Sequence, residues 1–129
     1  MEDVAHFWRS FDRAWNSRDA AAVAHHFEGD GTLVFIDGRE FQTRNEVTEF
    51  YIEVFSRIPS DWVHSASIES ESELGATGIF RITRHVDKSE VLSAPYVLEL
   101  SPSRSIRLLS LRKTEPNQSA QRTGPSARR

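Results

Sequence analysis

Apolar residues recur at helical spacing from the start of the chain. The stripe consists of Val4, Phe7, Trp8, Phe11, Ala14 and Trp15. Its i, i+3, i+4 and i+7 spacing predicts an amphipathic helix. The segment NSRD interrupts the stripe, and Asp19 is a favourable N-cap for a second, alanine-rich helix with the sequence AAAVAHHF. Gly29 follows, so this second helix is expected to end before it.

A short strand, a tight turn and a third helix are predicted next. The β-branched and aromatic run TLVFI, residues 32–36, predicts a strand. The pair Asp37-Gly38 predicts a hairpin turn, with EFQ as a candidate return strand. Thr43 and Glu46 match a capping box, and Pro59 ends the helical stripe that follows them. That stripe comprises Val47, Phe50, Tyr51, Val54, Phe55 and Ile58.

The remaining chain has the pattern of strands. Four segments, residues 62–74, 77–86, 91–100 and 105–113, carry alternating or β-branched runs separated by turn residues. Helices followed by antiparallel hairpins predict an α+β fold with the helices on one face of the sheet.

Two of these strands carry apolar residues on both faces. The opposed sets are Ile79 against Phe80 and Ile82, and Ile106 and Leu108 against Leu109 and Leu111. A sheet covered by helices on one side should alternate more cleanly, so the second apolar face needs a partner. We expect a homodimer through the outer sheet face. The alternative is that strands this short tolerate stray apolar residues.

Composition and charge narrow the class of protein. The 129 residues fit one domain and contain no cysteine, which excludes disulfides, thiolate metal sites and a cysteine nucleophile. The net charge of −3 argues against a nucleic-acid partner. The chain has no long apolar run and its first residues are unlike a signal peptide, so we expect a cytoplasmic protein with no membrane span. Residues 114–129 lack leucine, isoleucine, valine and aromatic side chains, and we expect a domain over 1–113 followed by a disordered tail.

The segments FDRAWNSRDAAAVAHHFEGDGTLVFIDG and TRNEVTEFYIEVF carry a resemblance to a known family. With their W-N-x-x-D break they resemble the nuclear transport factor 2-like superfamily, most closely its SnoaL-like branch, over about residues 4–113. The resemblance implies a cystatin-like conical α+β barrel, in which three N-terminal helices pack on a strongly curved, mostly antiparallel sheet and leave a pocket. It also implies frequent homodimers through the outer sheet face.

This superfamily includes ketosteroid isomerase, polyketide cyclases, dehydratases and proteins without a known reaction, so the fold does not select a function. The isomerase-type site needs a tyrosine where this chain has Phe11 and an aspartate where it has Phe35. A second acid falls near Tyr96 or Val97. Since two of the three roles are absent, we do not expect that chemistry.

The function expected from the resemblance is binding of a small, mostly apolar molecule in an aromatic-lined pocket, with or without a weakly specified isomerase, cyclase or dehydratase activity. The wall residues expected from their type and position are Trp15, Phe35, Tyr51 and Trp62. Plain core packing is the alternative for each of them. A non-catalytic homodimerisation or interaction module is the alternative for the whole domain.

Three polar residues are candidates for ligand contact or catalysis. His64 shares a strand face with Trp62, and it is either a hydrogen-bonded core histidine or an acid/base group. Arg81 either points inward and binds a carboxylate in bidentate fashion, or points outward. Tyr96 either donates its hydroxyl into the pocket or packs in the core.

The histidine pair His25-His26 is expected to be structural. Adjacent helical residues point about 100° apart and cannot chelate one metal, so one ring should face inward and the other solvent. His64 and His85 without a paired carboxylate are weak evidence for a metal. We therefore expect no metal and no cofactor.

Overall fold

The computed structural model describes residues 4–112 of the chain. Its helices are α1 (Val4–Asn16), α2 (Ala20–His25) and α3 (Arg44–Arg57). Its strands are β1 (Phe27–Val34), β2 (Glu40–Phe41), β3 (Trp62–Ala66), β4 (Ser70–Ser72), β5 (Gly75–Arg84), β6 (Glu90–Leu100) and β7 (Ile106–Leu111). The expected division into a domain over 1–113 and a tail over 114–129 has its boundary outside the described residues.

The strands form one curved, mostly antiparallel sheet in the order β2-β1-β7-β6-β5-β3, with β4 paired to β5. The pairing of β1 with β7 is parallel, and the other pairings are antiparallel. The three helices pack against the inner face of the sheet. The predicted α+β class and mostly antiparallel sheet are confirmed.

The predicted stripe of α1 is buried at all six positions. The break after it is a tight connection in which Arg18 adopts the left-handed conformation, with φ of 60°. Asp19 then caps α2, as predicted, by accepting a hydrogen bond from the Ala22 N–H at 3.0 Å. At the start of α3, Thr43 accepts from the Glu46 N–H, and the Glu46 carboxylate accepts from the Gln42 N–H.

Helix α2 is shorter than the run AAAVAHHF predicts, and Gly29 is not its C-terminal glycine. The helix ends at His25, and β1 begins at Phe27, so Gly29 lies within the strand rather than at a helix C-terminus. The reason is a long-range contact, because the Ile106 N–H donates to the His26 carbonyl at 2.7 Å and starts the β1–β7 pairing. Pairing with a distant strand therefore overrides the helical preference of the local sequence.

Strands β5 and β7 carry the opposed apolar sets on opposite faces, as the sequence predicts, with one exception. Phe80 and Leu109 are buried on the inner face, whereas Ile79 and Leu108 lie half-buried on the outer face. The exception is Ile106, which strict alternation places beside Leu108 but which is fully buried. A register shift between β6 and β7 turns it inward.

Candidate functional site

A cavity of about 250 Å³ lies between the helices and the inner face of the sheet. It is lined by residues of helices α1 and α3, of strands β3, β5 and β6, and of the segments that follow β1 and α3. Its lining consists of Trp15, Phe35, Ile36, Phe50, Tyr51, Val54, Ile58, Trp62, Phe80, Ile82, Val91 and Leu92. This lining contains no charged side chain, so the cavity suits an apolar molecule.

The four aromatic residues expected in the wall meet at this cavity. Trp15 and Tyr51 are buried, and Phe35 and Trp62 are half-buried. Phe35, Tyr51 and Trp15 belong to one aromatic cluster, which Phe50 and Phe55 connect at centroid distances from 4.9 to 5.5 Å. Spacing on α1 and α3 turns their aromatic faces toward the same side of the sheet.

Tyr51 supplies a polar group to this apolar lining. Its side chain is buried, and burial alone raises the pKa of its hydroxyl. The hydroxyl makes no hydrogen bond to another residue in 4–112, and its oxygen keeps some accessible surface. It is therefore available to donate to an oxygen or nitrogen of a molecule in the cavity.

Arg18 holds the segment between α3 and β3 against this site. Its guanidinium lies 5.1 Å from the centroid of the Trp15 ring and donates to the backbone carbonyls of Pro59 and Trp62, both at 2.8 Å. The predicted break after α1 therefore contributes to the site, because Arg18 lies in it and its guanidinium fixes one wall of the cavity.

Arg81 lies outside the cavity, on the outer face of β5. It pairs in register with Ser65 and Ser93, its Nη1 donates to the Ser67 hydroxyl at 3.4 Å, and its Nε lies 3.7 Å from Glu90. The structure thus adopts the outward alternative, because alternation along β5 turns Phe80 and Ile82 inward and Arg81 outward.

Tyr96 faces inward but does not line the cavity. Its hydroxyl accepts from the Trp8 indole N–H at 3.0 Å and donates to the Ser67 carbonyl at 2.8 Å. Burial raises its pKa to about 12. Because both hydrogen bonds are internal, the hydroxyl joins α1 to the sheet rather than projecting into the cavity.

His64 lies behind the cavity wall and pairs with a residue that the sequence analysis missed. Its Nδ1 is 2.5 Å from Oδ1 of Asp12 on α1. The His64 side chain is fully buried, and its Nε2 has no hydrogen-bond partner among the described residues. Burial lowers the His64 pKa, and the hydrogen bond and charge of Asp12 oppose this effect.

One feature of the sequence points toward the Asp12–His64 pair. Asp12 interrupts the buried stripe next to Phe11, and Asn16 follows it at i+4 on the same side of α1. Asn16 contacts the His64 backbone through both atoms of its amide. Two polar residues at helical spacing beside a buried stripe indicate a polar partner across the helix, but they do not identify it.

The histidine pair behaves as expected. His25 is exposed, whereas His26 is half-buried and hydrogen-bonded to the Ser10 hydroxyl and the Ala22 carbonyl.

Within residues 4–112, no three His, Asp or Glu side chains are grouped to hold a metal ion. No helix in the same range is both long and apolar enough to cross a membrane.

Solved structures share this architecture at low sequence identity. A Nostoc punctiforme domain of unknown function with a cystatin-like fold is 15% identical, with a TM-score of 0.65 over 87% of this chain and 75% of that chain. A Sinorhizobium meliloti protein described as a "putative polyketide cyclase" is 12% identical, with a TM-score of 0.63 over 80% and 90% of the two chains. A Xanthomonas campestris protein described as a "putative calcium/calmodulin dependent protein kinase II association domain" is 14% identical, with a TM-score of 0.62 over 86% and 85%.

These likenesses show that the chain has a cystatin-like fold. No protein-family model matches the sequence, and no curated protein matches it either. The neighbours are a domain of unknown function, a protein described as an enzyme and a protein described as an association domain. The fold is therefore settled, and the function must be argued from the site.

Proposed function

We propose that this chain is a SnoaL-like domain of the nuclear transport factor 2-like superfamily that binds one small, mostly apolar molecule. The observation that supports it is the 250 Å³ cavity, with its aromatic and aliphatic lining and the Tyr51 hydroxyl, which has no partner among residues 4–112. A well-formed apolar cavity with a few polar groups is the usual form of a small-molecule site. The Sinorhizobium neighbour, described as a cyclase, is consistent with a ligand-binding use of this fold.

The size of the cavity limits the ligand. An apolar cavity of roughly 150 Å³ engineered into another protein is large enough to bind benzene. The present cavity is larger, at about 250 Å³, whereas drug-sized ligands usually occupy upwards of roughly 300 Å³. The expected ligand therefore has one or two rings, and an oxygen that accepts from Tyr51 would orient it.

The binding proposal does not require isomerase-type chemistry. Phe11 and Phe35 stand where the resemblance places the oxyanion donor and the base of the isomerase. Phe11 is fully buried, and Phe35 lines the cavity with its ring. Neither side chain exchanges a proton, so any activity would need other groups.

A thermal-shift titration with naphthalene and 2-methoxynaphthalene tests the proposal. A ligand that binds the native state raises Tm with ln(1 + [L]/Kd), so a concentration-dependent rise is expected. Val54→Trp places bulk into the cavity from α3 and should abolish the rise. Ile52→Trp, on the exposed face of the same helix, is the matched control and should retain it. An absent rise, or an equal rise in both variants, would refute the proposal.

A second candidate function is homodimerisation through the outer sheet face. Ile79, Val97 and Leu108 lie half-buried on this face, and one structural neighbour is described as an association domain. Light scattering during size exclusion should give twice the chain mass at micromolar concentration. Val97→Glu should then return the mass to that of one chain, because a buried unpaired carboxylate disfavours association. A monomeric wild-type protein would exclude this candidate.

A further inference from the structure

One nitrogen of His64 makes no hydrogen bond within the part of the chain that the structure describes. The Asp12 carboxylate accepts a hydrogen bond from the Nδ1–H, and in the neutral ring this tautomer leaves a lone pair on Nε2. A carboxylate that orients a histidine in this way raises the basicity of the other ring nitrogen, which then accepts hydrogen bonds more strongly. Nε2 nevertheless has no partner among the described residues. A buried polar atom without a partner is costly and calls for an explanation.

The His64 ring lies among four aromatic rings, of which two belong to α1 alone and two also line the cavity. The two nitrogens of an imidazole ring point in widely different directions, so Nε2 faces away from Asp12. The Phe80 ring centroid lies 4.0 Å from that of His64, and the Trp15 centroid lies 5.6 Å away. Both Phe80 and Trp15 line the cavity. Phe80 therefore contacts both the His64 ring and the cavity.

We infer that Nε2 of His64 accepts a hydrogen bond from a hydroxyl group on the ligand, which reaches it when the Phe80 ring rotates aside. This inference rests on the proposed function, because it concerns the molecule bound in the same cavity. It assigns His64 as a specificity-determining residue, and it assigns Asp12 as the positioning residue that holds its proton on Nδ1.

The chemistry of the site selects a neutral ring alcohol, with a phenol as the simplest case. The ring satisfies the aromatic lining, and the O–H group supplies the donor that Nε2 lacks. An ammonium group is disfavoured because the lining residues include no carboxylate to compensate its desolvation. A methyl ether of the same ring fits the lining but leaves Nε2 unpaired.

The test compares 2-naphthol with 2-methoxynaphthalene by isothermal titration calorimetry. The wild-type protein should bind 2-naphthol about tenfold more tightly, the usual difference for one added hydrogen bond to a buried acceptor. His64→Phe keeps an aromatic ring in the cluster and should bind both probes with equal affinity. Asp12→Asn, at a partly exposed side chain, should reduce the preference, since an amide can donate to Nδ1 as well as accept from it.

Nitrogen NMR distinguishes a histidine that binds the ligand from one that only supports the fold. The Nε2 resonance of His64 should shift when 2-naphthol is added and stay fixed when the ether is added. Equal affinities in the wild-type protein, a preference that survives in His64→Phe, or an unmoved resonance would overturn the inference while leaving ligand binding intact. If neither probe binds, the proposed function fails and the inference fails with it.

Discussion

The side-chain amide of Asn16 holds both backbone polar groups of His64. Its Oδ1 accepts the His64 N–H at 2.7 Å, and its Nδ2 donates to the His64 carbonyl at 3.3 Å. Among the described strands, β3 is at the edge of the sheet, and one side of its backbone has no neighbouring strand there. Asn16 thus takes the place of a strand at this position, and Asp12, one turn earlier on α1, binds the ring of the same histidine.

Replacing Asn16 by alanine should weaken the domain. Asn16→Ala leaves the N–H and carbonyl of His64 without their partners, so the free energy of unfolding should fall by about 1–3 kcal/mol. Urea denaturation followed by tryptophan fluorescence measures the change. Asn45→Ala, at an exposed position on α3, should change stability by less than about 0.5 kcal/mol. Equal effects of the two substitutions would show that Asn16 does not support β3.

The two tyrosines should respond differently to loss of the hydroxyl. Tyr96→Phe leaves the Trp8 N–H and the Ser67 carbonyl unpaired and should cost about 1–3 kcal/mol. Tyr51→Phe removes a hydroxyl with no partner in the described fold, so it should be near neutral for stability. Thermal and urea unfolding of both variants test this contrast. A large loss of stability in Tyr51→Phe would mean that its hydroxyl supports the fold rather than the ligand.

Stability should depend on pH through His64. Burial lowers the pKa of this histidine in the folded state below the ordinary value of 6.5. The unfolded chain therefore binds more protons below pH 6.5, and the free energy of unfolding should fall as the pH drops from about 6.5 toward the folded pKa. The slope reaches at most about 1.4 kcal/mol per pH unit for one group. Urea titrations at several pH values between 5 and 7 measure it.

Two variants separate His64 from the other histidines in that titration. His64→Phe removes the group and should flatten the decline, whereas His25→Ala alters an exposed ring and should preserve it. An unchanged slope in His64→Phe would show that the decline has another source.

Gly78 should tolerate no side chain. A Cβ atom at this position would overlap the backbone carbonyl of Ser67 and touch the Tyr96 ring at 3.0 Å. Backbone cannot move aside cheaply, so Gly78→Ala should lower the free energy of unfolding by more than about 2 kcal/mol. Gly29→Ala places its methyl group in open space and should have almost no effect or stabilise slightly. Comparable stability of both variants would contradict the close packing of β5 against Ser67.

The helices were predictable because their signals are local. The α1 stripe, the Asp19 cap and the Thr43–Glu46 capping pattern each depend on residues within one or two turns, and the structure contains all three. The end of α2 was not predictable, because the Ile106 N–H decides it from the other end of the described chain. Strand faces followed alternation until a register shift between β6 and β7 turned Ile106 inward.

The cavity wall was more predictable than its polar groups. Trp15 and Tyr51 follow from helical spacing and bulk, which determine the side of a helix that is buried. The face on which Arg81 lies depends on the register of β5, and the pairing of His64 with Asp12 joins residues 52 positions apart. Such pairings depend on how distant strands and helices come together, so local sequence patterns do not predict them.

The parallel pairing of β1 with β7 has a consequence for the order of assembly. Strand β7 lies between β1 and β6, so among the described strands β1 and β2 have no backbone pairing with the rest of the sheet until residues 106–111 are present. During synthesis the ribosome must release these residues before the sheet can close. Chains cut at the turn before β7 should remain open and expose the faces that the helices cover.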